Sequence, residues 1–222
     1  MARLVCGIDE AGRGSVIGPM VIAGVLIEEE KIDDLVRLKV RDSKELKPEE
    51  RERIYDDIMK TVKSYEVVVL TAREVDSKTR KNKMKGINYL EAKVFAKIIN
   101  DLKPDVVYID LPTRDVKKFE LTISEMLKHQ CILVLEHKAD KKYPVTSAAS
   151  IVAKVTRDRE IEKLRERFGD FGSGYPHDPE TRKFIREVLG SDNEVREYVR
   201  WSWKTINRVA QTKLEEYESE RG

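Results

Sequence analysis

Apolar, β-branched runs alternate with amphipathic helical stretches through the middle of this chain, and that alternation predicts an α/β fold, a sheet layered against helices. Beyond the glycine-rich stretch at 169–179 the periodicity is helical only, so a helical C-terminal part is expected. At 222 residues the chain can bury a sizeable core, and it suits one large domain or one domain with an appendage.

The first strand is read at 3–9, where Leu4, Val5, Cys6 and Ile8 run into the hexapeptide Asp9-Glu10-Ala11-Gly12-Arg13-Gly14. A second covers 19–27 and a third 64–71, each bounded by turn or charged residues. Between them Pro48 opens a helix, because its missing N–H is no loss at a first helical position, and Ile54, Ile58 and Val62 then recur at fourfold spacing. A helix over about 88–101 carries Leu90, Val94 and Ile98 or Phe95 as its apolar stripe. The apolar run 106–110, a helix near 115–128 and the run 131–135 complete the alternation, and from Pro144 a long helix extends to about Phe168.

Charge identifies no partner in bulk. The 43 Lys plus Arg nearly balance 41 Asp plus Glu, so any nucleic-acid surface must come from local clustering. Glutamine occurs only at positions 130 and 211, and the Glu/Lys-rich balance suits a protein from a hot environment. Cys6 and Cys131 lie in apolar runs and read as buried, reduced thiols. No basic-then-apolar leader precedes the first strand and no stretch approaches the roughly 18 apolar residues of a membrane span, so a soluble cytoplasmic protein is expected.

The hexapeptide carries the chemistry. Asp9 and Glu10 offer the hard oxygen ligands that Mg²⁺ or Mn²⁺ prefers, Gly12 and Gly14 let backbone N–H groups approach a substrate, and Arg13 adds a cation for phosphate. Asp110 repeats the placement of Asp9 at the end of an apolar run, and Asp140 follows the run at 131–135. Each alone also reads as a turn or helix-cap residue. Together, three strand ends could present acids to one rim, and clustered carboxylates need a divalent cation to offset their repulsion. Two ions about 3.5–4 Å apart could orient a water and stabilise a leaving oxygen in phosphodiester cleavage. Adjacent strand residues face opposite ways, so Asp9 and Glu10 share a metal only if the strand ends or kinks there, or if Glu10 acts through its main-chain carbonyl or a water.

Gly7-Ile8-Asp9-Glu10-Ala11-Gly12-Arg13-Gly14, Gly18-Pro19, Asp42-Ser43-Lys44, His137-Lys138-Ala139-Asp140-Lys141-Lys142-Tyr143-Pro144, Ser147-Ala148-Ala149-Ser150-Ile151-Val152-Ala153-Lys154 and Gly172-Ser173-Gly174-Tyr175-Pro176 together resemble ribonuclease HII in its archaeal form. The likeness spans about residues 3–205 in consistent order, and Ala139, where bacterial members usually carry glycine, is the usual archaeal form. It implies a ribonuclease H-like mixed β-sheet flanked by helices, with residues 1–168 as catalytic core and 169–222 as a helical segment completing the substrate groove. It further implies cleavage of the RNA strand of RNA/DNA hybrids, and cleavage 5′ to single ribonucleotides in duplex DNA, leaving 5′-phosphate and 3′-hydroxyl ends. Asp9, Glu10, Asp110 and Asp140 fall on the family's four metal-binding acids, for two Mg²⁺ or Mn²⁺ ions. A monomer is expected.

By the same resemblance Gly12, Arg13 and Gly14, with Tyr175, read the ribonucleotide through its 2′-hydroxyl. Ser43 and Lys44, and Ser147 at a helix start, read as phosphate contacts; Ser147 is equally an N-cap candidate. Lys78, Arg80, Lys81, Lys83 and Lys85 form a basic run that could track phosphates or simply be solvated. His129, His137 and His177 match no metal spacing and are not read as bases, while Trp201 and Trp203 read as core anchors. A binding module that retains the fold without catalysis, and another nuclease such as a junction resolvase or exonuclease, are the competing readings. The intact acids oppose the first, and the Gly-Arg-Gly and Tyr175 elements have no evident purpose in the second. Finally, Gln211, Leu214 and Tyr217 resemble a sliding-clamp-binding box, with Glu218 where a second aromatic is common; a final helix packed on its own domain is the alternative.

Overall fold

The computed structural model describes residues 2–40, 47–81, 86–189, 194–203 and 206. The chain forms two compact units: Met1–Ala11, Val21–Val69 and Ile87–Arg157 make the first, and Gly12–Met20, Leu70–Gly86 and Asp158–Gly222 the second.

The first unit is built on a five-stranded mixed sheet. Strands β1 (Leu4–Ala11), β2 (Met20–Glu28), β3 (Ser64–Leu70), β4 (Val106–Asp110) and β5 (Ile132–Glu136) lie in the order β3-β2-β1-β4-β5. β1 pairs antiparallel with β2 and parallel with β4, and β4 pairs parallel with β5. Among the described residues of the whole chain the α-helices are α1 (Ile32–Arg37), α2 (Pro48–Thr61), α3 (Ala72–Lys81), α4 (Ile87–Leu102), α5 (Val116–Ser124), α6 (Ala139–Lys142), α7 (Pro144–Phe168) and α8 (Pro179–Val188), of which α3 and α8 belong to the second unit. The sheet, α2, α4, α5 and α7 match the sequence expectations within a few residues. Helices α1 and α3 have no counterpart in the sequence expectations, because both are short and rich in charged residues.

Two glycines fix how helices cover the sheet. Gly7 and Gly24 lie on adjacent strands, with Gly7 opposite Val25 and Gly24 opposite Ile8. A Cβ on Gly7 would collide with the backbone of Val145 and Thr146 at the start of α7, whereas one on Gly24 would collide with Ile98 of α4. Because strand side chains alternate, these contacts assign α7 to one face of β1 and α4 to the other. Val5, Val25 and Ile27 of the sheet, Leu35 of α1, Ile54 and Ile58 of α2, and Ala148 and Val152 of α7 fill one core.

The second unit has its own core of Val16, Ile17, Ile161, Leu164, Phe171, Ile185, Val199 and Ile206. Trp201 and Trp203 pack against it, as core anchors rather than exposed rings. The Trp201 indole donates to the Arg196 carbonyl at 2.8 Å, and the Arg196 guanidinium sits 4.4 Å from its ring centre. Cys6 is buried as expected, whereas Cys131 is only half-buried; burial pushes both thiols up.

Candidate active site

Three carboxylates converge. Oxygens of Asp9, Asp110 and Asp140 all lie within 4.8 Å of one another. The parallel register brings Ile8 opposite Ile109, so the next residue on each strand, Asp9 and Asp110, emerges at the same end of the sheet. Asp140 arrives from the other side of the β5 turn, where Lys138 takes the left-handed conformation at φ 60° and starts the short helix α6. The first amide of α6, Ala139 N–H, donates to Asp110 Oδ1 at 3.1 Å, which ties the second acid to the helix that carries the third.

Asp9 is buried, on the face of β1 turned to α7. It accepts hydrogen bonds from the Glu10 amide at 2.7 Å and from Ser150 of α7. Those bonds do not offset its surroundings: burial first, then the adjacent Asp110 and Asp140, push its carboxyl up from 3.8 to about 7. A buried acid cluster with raised protonation is a site that a divalent cation completes, and the oxygen-only donor set suits a hard ion. The residues therefore fit the metal that the sequence implied.

Glu10 is a different case. β1 neither ends nor kinks at Asp9, because Asp9 pairs with Ala23 and Glu10 with Ile22 in unbroken register. The expected strand end at residue 9 is thus corrected, and the Glu10 side chain leaves from the opposite face. Of the routes the sequence left open for it, the main-chain carbonyl and a bridging water remain.

Ser147 is not an N-cap, since α7 begins at Pro144 and Ser147 occupies its first turn, buried. Its single hydroxyl proton goes to the carbonyls of Asp140 and, at 3.1 Å, Tyr143. What it contributes here is a fixed Asp140 backbone. Ser150, one turn on, was not singled out from the sequence. The Ser147-x-x-Ser150 spacing, which puts two hydroxyls on one helix face, is the signal that could have found it.

Beside the cluster Glu136, opposite Asp110 in the β4–β5 register, is held below the usual carboxylate range by Lys142 and by the Tyr143 hydroxyl at 2.7 Å. The Tyr143 ring stacks on Tyr108 with centroids 4.1 Å apart. Tyr143 therefore braces the α6 turn against β4, a role no sequence pattern announced.

Of the other predicted residues, Gly12, Arg13, Gly14 and Tyr175 lie in the second unit. Gly12 has φ +80°, and a Cβ on Gly14 would meet Tyr175 Cε1 at 3.9 Å, so the glycine loop and the tyrosine are neighbours. The Tyr175 turn is set by Asp178, whose carboxylate accepts the amides of Ser173 at 2.6 Å and Glu180 at 3.0 Å and caps α8. A hydrogen bond from the Ser173 side chain first, then these amides, lower the Asp178 carboxyl to about 2. His129 is engaged with the Pro104 carbonyl at 2.9 Å, a structural contact. Lys78 is exposed on α3; the side chains of the rest of the basic run, together with Ser43, Lys44, Gln211, Leu214 and Tyr217, lie outside the described residues. No helix among the described residues is long and apolar enough to cross a membrane.

Comparison with known proteins agrees with this geometry. The family model described as Ribonuclease HII matches residues 6–206. The Ribonuclease HII of Pyrococcus abyssi is 46% identical over 207 residues, covering 92% of this chain and 90% of the relative. Among solved structures, ribonuclease H2 from Pyrococcus horikoshii OT3 is 42% identical with a TM-score of 0.84, covering 94% of this chain and 98% of that one. The RNase HII in a PCNA:RNase HII complex from Archaeoglobus fulgidus is 40% identical with a TM-score of 0.82, covering 92% and 96%. With a ribonuclease H-like sheet, a triad of acids fit for a divalent ion and this extent of identity, the chain belongs to the ribonuclease HII family and is a metal-dependent endoribonuclease.

Proposed function

We propose that the enzyme hydrolyses the RNA strand of RNA/DNA hybrids and also cuts 5′ to single ribonucleotides embedded in duplex DNA, leaving 5′-phosphate and 3′-hydroxyl ends. The observation that carries this reading is the convergence of Asp9, Asp110 and Asp140 within 4.8 Å. These three side chains, with Glu10 acting through its carbonyl or a water, would hold two Mg²⁺ or Mn²⁺ ions. When bound, such ions lower the pKa of a water and offset charge developing on the leaving oxygen.

The chain's own residues supply orientation and selectivity. Ser150 and the Glu10 amide orient Asp9, the Ala139 amide orients Asp110, and Ser147 fixes the backbone of Asp140. Only the 2′-hydroxyl distinguishes a ribonucleotide within a DNA duplex, so its readers decide where the enzyme cuts. Family resemblance assigns that task to the backbone of Gly12, Arg13 and Gly14 and to Tyr175, and the proximity of Gly14 and Tyr175 supports the grouping. Ser43 and Lys44 would contact phosphates, and residues 169–222 contribute Tyr175 to recognition. The Archaeoglobus relative whose structure is a complex with PCNA supports a further reading, that Gln211, Leu214 and Tyr217 bind a sliding clamp.

The test is a DNA duplex carrying one ribonucleotide, incubated with and without Mg²⁺ or Mn²⁺. A single metal-dependent cut on the 5′ side of the ribonucleotide, with a 3′-hydroxyl extendable by a polymerase, is expected. Cleavage of hybrids alone would limit the enzyme to RNA tracts, and cutting in chelator would remove the metal mechanism.

A further inference from the structure

The loop that carries Gly12, Arg13 and Gly14 is held by a buried guanidinium. Arg200 has no exposed surface. Its Nη1 donates to the Arg13 carbonyl at 3.0 Å and its Nη2 to the Gly18 carbonyl at 3.1 Å. Its own amide donates to the Val16 carbonyl at 2.8 Å, within a short antiparallel bridge that also pairs Ile17 with Val199. One residue therefore fastens the loop at positions 13, 16 and 18. Burying a guanidinium is costly and persists where carbonyls take its donors; a residue needed only to fill space would be apolar.

The consequence follows from peptide geometry. No cis peptide bond is present among the described residues, and in a planar trans peptide the C=O and the next N–H point to opposite sides. The Gly12 carbonyl is turned to Ser15, accepting its amide at 3.3 Å and its hydroxyl at 2.9 Å. The Arg13 carbonyl is turned to Arg200. The amides of Arg13 and Gly14 are thereby directed away from those partners. With Gly12 in the left-handed region, the succession has the character of a backbone nest, a concavity of N–H donors suited to an oxygen ligand.

We propose that Arg200 is a positioning residue for ribonucleotide recognition: by holding the Arg13 carbonyl it aims the Gly14 amide at the 2′-hydroxyl oxygen of the substrate. This rests on the reading that the Gly12-Arg13-Gly14 backbone recognises the ribonucleotide. Arg200 touches no substrate; it acts through the orientation of one peptide plane.

The experiment compares the full chain with Arg200→Lys, Arg200→Met and Gly14→Ala. Thermal unfolding, Mn²⁺ binding by calorimetry, affinity for an all-DNA duplex, and kcat and KM on a duplex with one ribonucleotide are measured for each. Arg200→Met is expected to lose at least tenfold in kcat, while Mn²⁺ and all-DNA affinities stay within twofold. Arg200→Lys, which keeps one donor, is expected to recover part of the rate. Wild-type kcat in folded Arg200→Met would overturn the inference, as would a loss that appears equally in all-DNA affinity or Mn²⁺ binding. Failure of both Arg200 variants to fold would also overturn it, making the residue a requirement of the fold. If Gly14→Ala cuts at the wild-type rate, the loop does not read the 2′-hydroxyl and the underlying reading falls. If Gly14→Ala is impaired while Arg200→Met is not, only the role of Arg200 is removed.

Discussion

Aspartates do opposite work in the two units. In the first, Asp9 is buried beside Asp110 and Asp140, and despite two hydrogen bonds its ionised form is disfavoured. In the second, Asp178 sits at a loop where the Ser173 side chain and the Ser173 and Glu180 amides donate to its carboxylate, and its ionised form is favoured. The residue type is the same and the difference lies in what faces it. One carboxylate is completed by the protein and stabilises a turn; the other is left incomplete for a cation to complete.

The largest effect that sharpens this contrast is on activity. Asp110→Asn or Asp140→Asn should reduce cleavage by well over the roughly 100-fold that loss of a supporting partner of a metal ligand costs. Unfolding of either variant in chelator should occur at or above the wild-type temperature, because repulsion at Asp9 is relieved. Wild-type rates at saturating Mg²⁺ would mean that the cluster is not the metal site.

Next comes the packing that positions the cluster. Gly7→Ala places a methyl inside the backbone of Val145 and Thr146, neither of which is a flexible side chain, so a loss of about 3 kcal/mol or more is expected in denaturant unfolding. An unperturbed stability would show that α7 can lift from β1 at little cost.

Stability against pH should then separate the two aspartates by sign. The folded pKa of Asp9 is raised, from 3.8 to about 7, so the metal-free fold binds more protons than the unfolded chain and its contribution is lost as pH rises through that window. The folded pKa of Asp178 is lowered, from 3.8 to about 2, so its contribution is present above 3.8 and lost as pH falls toward 2. Asp9→Asn should flatten the first slope and leave the second. Asp178→Ala should remove the second and cost about 1–2 kcal/mol at neutral pH as a lost helix cap. Equilibrium unfolding in chelator from pH 2 to 8 measures both, and matching slopes in all three proteins would refute the contrast.

The smallest effect is at Tyr175→Phe. Removing one hydroxyl should slow cutting at a single ribonucleotide by roughly five- to tenfold, the worth of one uncharged hydrogen bond, with a smaller loss of duplex affinity because phosphate contacts dominate binding. An unchanged rate would take Tyr175 out of recognition.

Much of this arrangement was legible in the sequence because its signals are local. Apolar runs ending in Asp9 and Asp110 announce strands with acids at their ends, and Pro48 and Pro144 mark helix starts that the structure reproduces. The misses are non-local or lie in short, charged segments. Helices α1 and α3 are charged and brief, and the continuation of β1 past Asp9 depends on pairing with Ala23 and Ile22. Ser150 and Tyr143 matter through what they touch across the fold, as does Arg200, whose partners lie more than 180 residues away in the chain. The ribonuclease HII likeness supplied the roles of Gly12, Arg13, Gly14 and Tyr175, which composition and spacing alone would not have selected.

The parallel pairing of β1 with β4 also bears on how the enzyme comes into being. Val5 meets Val106, so a segment of about a hundred residues must close before Asp9 and Asp110 become neighbours. Pairings of such long sequence separation form slowly and late in folding. A chain interrupted during synthesis anywhere before β4 would carry Asp9 without its companions. Nuclease capacity should therefore rise together with completion of the sheet, and a refolding time course followed by Mn²⁺ uptake should lag behind the recovery of helical circular dichroism.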